Sequence, residues 1–561
     1  MPKINIDGKE IEFKQGQTII EAAKESGIDV PHFCWHPKLS VSGNCRVCLV
    51  EVEKMPKLVI ACATVAAEGM VVHTASDKAL AARNAVMEFI LINHPLDCPI
   101  CDEAGECKLQ DYTYQHSTGE SRFVEEKNHK DKRVPLGPNV MFDAERCITC
   151  SRCIRFCDEV AKDPELTFVQ RGDRVTITTY PGRELDNPYS MNVVDICPVG
   201  ALTNRDFRFK SRVWEMSQTN SVCNGCARGC NIEIWVRNNE VLRLVPKHNE
   251  AVNSFWMCDH GRLNTFKFVN AKDRVDGPHL RSEGNLIKVG WDEAYAEAAS
   301  RLKVFSKDEI AVLGSAFATF EDNYVAAKFG KTVLGTGNID FVNHIDPAFG
   351  DDILKNEDIT PNSKGAELAG VHPSKNGFDY NGIIKGIREG KIKALYILED
   401  DIIAAFPELE NIFSKLDLLI VHATNFNKTT LLADIVFPAA TYAEKNGTFV
   451  NIDGLAQRIR PAVATLDVDR ALEGMSMSRW DKFGTKFDRW AQGKHYDARS
   501  SWKILTGLAS AMGQKMKFVM SEEIFLDAAN NIEAFKGLDY DKLGELGFQL
   551  KNINSKSAVK I

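Results

Sequence analysis

Apolar and polar residues alternate through KINIDGKEIEF on both sides of Asp7-Gly8, which predicts a β-hairpin at the start of the chain. Thr18 and Glu21 then form a capping-box pattern ahead of the helix IIEAAKES, and Gly27 marks its end. Two further strands are expected at LVEVE and KLVIACA. Residues 79–118 read as mainly helical, with AARNAVMEFILI as an amphipathic to buried helix. The charged stretch GESRFVEEKNHKDKRVP reads as a linker or surface loop. From 276 onward, helical patterns alternate with the short apolar runs EIAVLGS, KALYILE, LDLLIVHA and ADIVFPA. That alternation predicts an α/β domain with a largely parallel sheet. WKILTGLASAM is the clearest helix of the last hundred residues.

These elements are too many for one core, and 561 residues imply three to five domains. Six segments are expected: 1–78, 79–118, 119–213, 214–275, 276–465 and 466–561. A net charge of −8 leaves no basic excess for phosphate neutralisation, so nucleic acid is not an expected partner. The longest apolar run, Ala85 to Ile92, is broken by Glu88 and too short to span a bilayer. The start MPKINIDGKEIEF lacks the pattern of a signal peptide, so a cytosolic setting is expected. In that setting clustered cysteines more often bind metal than pair as disulfides.

All 16 cysteines lie between Cys34 and Cys258, which confines metal chemistry to the N-terminal half. The first group is Cys34, Cys45, Cys48 and Cys62. Three thiolates from one loop and a fourth from a later strand make a plant-type [2Fe–2S] arrangement with altered spacing. Gly43 suits a loop whose backbone must approach the cluster closely. A four-cysteine zinc site is the alternative, and the hairpin and helix ahead of the loop match a ferredoxin β-grasp better.

The second group is His94, Cys98, Cys101 and Cys107. One imidazole and three thiolates are also a standard structural zinc shell, so spacing leaves zinc and [4Fe–4S] open. Position between two other cluster sites favours [4Fe–4S]. The third group is the triplet Cys147, Cys150, Cys153 with a remote Cys-Pro at Cys197, a ferredoxin-like [4Fe–4S] pattern. Cys157 completes a local C-x2-C-x2-C-x3-C, yet Asp158 rather than proline follows it and Cys197 has no second triplet. Cys197 is therefore the expected ligand and Cys157 a small buried bystander. The fourth group, Cys223, Cys226, Cys230 and Cys258, again suits [4Fe–4S], with zinc as the minority alternative.

No nucleotide site accompanies these groups. VLGTGNID has Gly335 and Gly337 but Asp340 where a third glycine would stand, and there is no phosphate-binding GxxxxGK[ST]. No catalytic constellation rises above background, so no catalytic residue is assigned. The expected inventory is one [2Fe–2S] and three [4Fe–4S] clusters.

With these motifs laid out, PHFCWHPKLSVSGNCRVCLVEVE, HPLDCPICDEAGECKLQD, ERCITCSRCIRFCDEV and DICPVGALT resemble the large iron–sulfur subunits of respiratory complex I, the NADH–quinone oxidoreductases. CNGCARGCNI with Cys258 resembles the additional cluster site of some bacterial members. ADIVFPAATYAEKNGTFVNIDG resembles a molybdopterin-oxidoreductase fold, here shortened between GTGNID and KALYILE. The resemblance covers roughly residues 1–465. It implies a ferredoxin-like β-grasp, small Fe–S domains and a shortened molybdopterin-oxidoreductase-like α/β scaffold, with 466–561 as a helical and irregular extension. It also implies an electron relay from a flavin subunit that oxidises NADH, through this chain, to a further iron–sulfur subunit bound for quinone. The other hydrophilic subunits of the complex would be partners, and the membrane would be met only through the complex, on the cytoplasmic side. No cysteine follows Cys258, which excludes thiolate ligation of molybdenum, and the resemblance implies a scaffold that has lost that cofactor, so molybdenum is not expected. The competing readings are a molybdopterin enzyme such as a formate dehydrogenase subunit, an iron-only hydrogenase, which the same lack of C-terminal cysteines disfavours, and a zinc-stapled scaffold.

Overall fold

In the computed structural model, which describes residues 1–117, 119–468, 475–476, 493–551 and 553, the chain divides into Met1–Trp214 and Glu215–Ile561. The first unit opens with the expected hairpin. Strands Lys3–Ile6 and Lys9–Glu12 pair antiparallel, and Asp7 and Gly8 both take positive φ, as a two-residue type I′ turn requires. The helix Ile19–Glu25 carries both halves of the Thr18/Glu21 capping box. These elements build a five-stranded sheet in the order Lys9–Glu12, Lys3–Ile6, Val71–His73, Leu49–Val52, Val59–Ile60. KLVIACA forms a strand only at Val59–Ile60. Beyond it the chain bends back, Thr64 donating to the Ile60 carbonyl while Ala61 donates to that of Cys48. Cys62 thus leaves the ladder and turns toward the cysteine loop.

The helix Asp77–Leu91 buries Ala79, Arg83 and Met87, one residue per turn. Lys108–His116 is a second helix. Residues 119–133 lack regular structure, as their charge pattern predicts. The unit closes with a three-stranded sheet (Leu202–Asn204, Val140–Phe142, Val134–Pro135), the helix Arg152–Glu159 and the hairpin Leu166–Val169/Thr176–Thr179.

The second unit begins with an antiparallel pair, Ser217–Val222 and Asn231–Arg237. Its main sheet has seven strands in the order Asn285–Lys288, His279–Ser282, Ile435–Pro438, Leu418–Ala423, Ala394–Ile397, Ile310–Leu313, Ile339–Asp340. The five from Ile435–Pro438 onward are parallel to one another, in line with the largely parallel sheet expected from the four apolar runs. They are buried on both faces, so they read as continuous apolar runs rather than as alternation. Ile310 and Val312 enter one core with the helices Trp291–Leu302 and Ser501–Ala511. Ala311 and Leu313 enter the other, with Tyr380–Arg388. WKILTGLASAM is thus helical and completes one layer of the scaffold; residues 469–474, 477–492, 552 and 554–561 of the expected extension lie outside the described residues. GTGNID follows the helical turn Phe329–Leu334 and runs into Ile339–Asp340. A dinucleotide fingerprint needs the opposite order, strand then helix. Lys445, almost fully buried, bridges Asp322 and Glu399 at 2.8 and 2.7 Å within this scaffold.

Candidate metal centres

All 16 cysteines are free. Among the described residues no three His, Cys, Asp or Glu side chains form a shell for a single metal ion. At the first set, Cys34 follows the helix Ile19–Glu25, Cys45 and Cys48 precede the strand Leu49–Val52, and Cys62 follows Val59–Ile60. All four sulfurs connect. Cys45 and Cys62 hydrogen-bond the Cys34 sulfur and hold its thiol down to about 2. Cys62 likewise lowers Cys48, while Cys45 and Cys62 are pushed up by these bonds and by burial. The Cys34 backbone N–H donates to Cys45 Sγ at 3.4 Å. Gly43 has φ of +65°, and a Cβ there would stand 3.2 Å from Ile60 Cδ1. A left-handed turn packed against Ile60 already favours glycine there. Arg83, missed in the sequence reading, donates to the carbonyls of Val47, Leu49 and Thr74 and pins this loop to the helix behind it. A charged residue on the buried stripe Ala79, Arg83, Met87 was the available signal.

At the third set, Cys147, Cys150, Cys153 and Cys197 line one small pocket, together with Phe142, Ile177 and Arg152. Cys157 does not line it. Cys157 is fully buried one helical turn beyond Cys153, and burial, with Glu165 and Asp163 nearby, pushes its thiol up. Burial also raises Cys147 to about 12, raises Cys150, and raises Cys153 and Cys197 well above the ordinary thiol range. Buried thiols of this kind become thiolates when a metal core supplies the compensating positive charge.

The second set is the least closed. Cys98 opens the turn Cys98–Ile100, and the Cys101 N–H donates to its carbonyl at 3.2 Å. Burial is the main reason Cys107 is pushed up to about 12, with the charge of Cys101 adding to it. Burial lowers His94 to about 4, so its imidazole is neutral at pH 7, the form that ligates metal. Its Nδ1 is buried without a hydrogen-bond partner. Beside it, Asp97 accepts from Arg146 at 2.6 Å and from Lys132 at 3.1 Å.

The fourth set lies in the second unit. Pairing of Val222 with Asn231 closes a loop that holds Cys223, Cys226 and Cys230. Cys258 caps the helix Asp259–Leu263, its sulfur accepting from Gly261 N–H at 3.3 Å. A Cβ at Gly261 would stand 3.1 Å from Cys223 Sγ and 3.4 Å from Cys258 Sγ, so a side chain there would crowd the first of these sulfurs. All four cysteines are buried; burial first, then one another's charge, raises Cys223 and Cys230, and burial raises Cys258 to about 11. The loop is anchored to the scaffold, Ala227 donating to the Asp358 carbonyl and Gln457 Nε2 to that of Gly229.

Contacts within the first unit order its three sets. The helix Arg152–Glu159, which carries Cys153, reaches the first set: Arg155 donates to the carbonyls of Cys34 (2.5 Å) and Cys150 (3.3 Å). The segment after Cys197 reaches the second: Pro198 O accepts from Lys108 N–H at 3.2 Å and from Cys107 Sγ at 3.9 Å. At Gly200 a Cβ would fall 2.3 Å from Cys101 Sγ, which only glycine avoids. The third set is thus in contact with both others.

Five family models match the chain. These are a 2Fe-2S iron-sulfur cluster binding domain at 2–77, the NADH-ubiquinone oxidoreductase-G iron-sulfur binding region at 83–122, and the ferredoxin-like domain of NADH-quinone oxidoreductase subunit 3 at 137–203. An NDSU1/NuoG-like 4Fe-4S domain of NADH-ubiquinone oxidoreductase matches 216–265, and molybdopterin oxidoreductase matches 357–467. Among curated proteins, the G subunit of NADH-quinone oxidoreductase from Rickettsia felis is 42% identical over 354 residues, covering 62% of this chain and 51% of the relative. Its namesake in Streptomyces coelicolor is 38% identical over 377 residues, covering 67% and 44%. The chain spans about half the length of the curated relatives it matches. Among solved structures, an NAD+-reducing [NiFe]-hydrogenase chain is 29% identical with a TM-score of 0.34, covering 38% of this chain and 91% of that one. Acetylene hydratase from Pelobacter acetylenicus is 11% identical with a TM-score of 0.39, covering 58% and 73%.

Proposed function

We propose that this chain, a homologue of the G subunits of NADH-quinone oxidoreductase, conducts electrons in such a complex from a flavin subunit that oxidises NADH toward quinone. The observation that carries the reading is the contact series in the first unit, where the third set touches both the first and the second. In this reading Cys34, Cys45, Cys48 and Cys62 hold a [2Fe–2S] cluster. Cys147, Cys150, Cys153 and Cys197 hold a [4Fe–4S] cluster, as do His94, Cys98, Cys101 and Cys107, and Cys223, Cys226, Cys230 and Cys258. The clusters supply one-electron carriage, and the protein supplies position, burial and hydrogen bonds to sulfur, which set potentials.

The family resemblance implies a route from the first set to the third and then the second, which is not their order in sequence, and the contacts are compatible with it. The relatives are named as G subunits of NADH-quinone oxidoreductase, which favours this reading over a formate dehydrogenase subunit. The domain boundaries are those expected above, with 276–465 as a scaffold without molybdenum. Among the described residues no helix is long and apolar enough to cross a membrane. The chain then meets the membrane through its partner subunits, on the cytoplasmic side.

Metal analysis of the anaerobically purified chain tests this. Fully loaded protein should carry about 14 iron atoms and matching labile sulfide, with no stoichiometric molybdenum or tungsten. About ten irons with one zinc would remove the cluster at His94, Cys98, Cys101 and Cys107 from the relay.

A further inference from the structure

Arg152 stands at the seam between the first and third sets. One guanidinium nitrogen donates to the carbonyl of Trp35 at 2.5 Å, and another to that of Ile196 at 3.1 Å. Trp35 directly follows the ligand Cys34, and Ile196 directly precedes the ligand Cys197. The same side chain lines the cavity bounded by Cys147, Cys150, Cys153 and Cys197. Its Nε is buried and has no hydrogen-bond partner. Among the described residues no carboxylate pairs with it, whereas Arg146, beside the second set, is paired with Asp97 and Asp143. Burial pushes the Arg152 guanidinium down, and the sulfurs of Cys150, Cys197, Cys34 and Cys45 act on it in the opposite direction.

We infer that Arg152 is a positioning residue for both cluster sites at once, its two outer nitrogens joining their ligand loops and its Nε–H donating to sulfur of the Cys147–Cys197 cluster. The inference rests on the proposed relay function and adds to it a residue that tunes the step between two sites. Three physical consequences follow. The fork fixes the distance between the loops, because a planar guanidinium bonds two carbonyls in one geometry. An uncompensated cation near both sites favours the state with the extra electron, so it raises both potentials. A donor to cluster sulfur raises the potential further at the third site. The electron leaving the reduced first site is the one that reduces the third, and no proton moves with it. A shared cation therefore shifts donor and acceptor together, so the driving force between them changes less than either potential.

The test uses the full chain, purified anaerobically and shown to be loaded by iron and sulfide content. Redox titration followed by magnetic resonance should show both cluster signals moving to lower potential in Arg152→Gln, with the Cys223–Cys258 cluster unmoved. Arg152→Lys keeps the charge and should return both potentials toward the wild-type values. Since the Gln variant could fail to load, a second measurement uses wild-type chain with 15N-labelled guanidino groups on its arginines. The reduced third cluster should then show a nitrogen coupling that disappears in Arg152→Lys. Unshifted potentials in a loaded Gln variant, an equal shift of all clusters, or absence of the nitrogen coupling would each overturn the inference. Absence of either cluster from wild-type chain would instead overturn the relay reading, and the role of Arg152 with it.

Discussion

At the scale of single residues, the fate of a cysteine depends on how far along a helix it lies. Cys153 and Cys157 are one turn apart on Arg152–Glu159, and both are buried, yet only Cys153 lines the cavity with Cys147, Cys150 and Cys197. Spacing alone made Cys157 an equal candidate. The missing proline after it and the Cys-Pro at 197 were the legible hints, and they point the same way as the cavity. Replacing Cys157 with Ala removes one packed sulfur atom, worth about 1 kcal/mol, and should leave the third cluster's reduced-state magnetic resonance signal in place. Cys197→Ala should abolish that signal. The reverse result would exchange the two residues' roles. The arginines were harder to read. Arg152 sits between two ligands in Cys150-Ser151-Arg152-Cys153, a position where charge suggests solvent, and only the carbonyls of Trp35 and Ile196 show why it is turned inward.

Among elements, the parallel strands were legible because burial on both faces leaves continuous apolar runs. The polar residues inside those runs acquire meaning only from their neighbours. His422, in the strand Leu418–Ala423, is fully buried, with Nε2 2.7 Å from the Tyr396 hydroxyl on the adjacent strand and Nδ1 3.0 Å from Ser501 Oγ at the start of the helix Ser501–Ala511. Ser501 in turn donates to Glu399 at 2.6 Å. The neutral ring with its proton on Nδ1 satisfies all these bonds, and burial lowers His422 to about 3. The unfolded chain binds a proton there near pH 6.5 and the folded chain does not, so this contribution is complete above pH 6.5 and is lost as pH falls toward 3. Between pH 7 and pH 5 the wild-type second unit should lose about 2 kcal/mol more stability than His422→Gln, whose side chain does not titrate. Denaturant unfolding of both proteins at the two pH values measures this, and equal losses would show that His422 is not held neutral by the fold.

For the whole molecule, the two units divide the proposed labour. Three of the proposed cluster sites fall in the first unit and the fourth in the second, its loop tied to Asp358, Asn451 and Gln457 of the scaffold. Removing ligands from any of the first three sites should therefore block NADH-to-quinone activity in a reconstituted complex, while a dye that accepts electrons at the flavin still turns over. Losing the Cys223–Cys258 site should mainly lower the scaffold's stability and the yield of assembled complex. Intact quinone reduction after loss of Cys34 or Cys197 would refute the serial route. The ligand types and their local spacing, the opening hairpin and capped helix, and the parallel sheet all follow from the amino-acid sequence, because each depends on residues close together in the chain. Three-dimensional packing was needed to place the third set between the first and the second, to leave Cys157 aside, and to turn Arg83 and Arg152 inward. Those outcomes depend on hydrogen bonds and close approaches between segments tens to more than a hundred residues apart, whose distances no spacing of cysteines encodes.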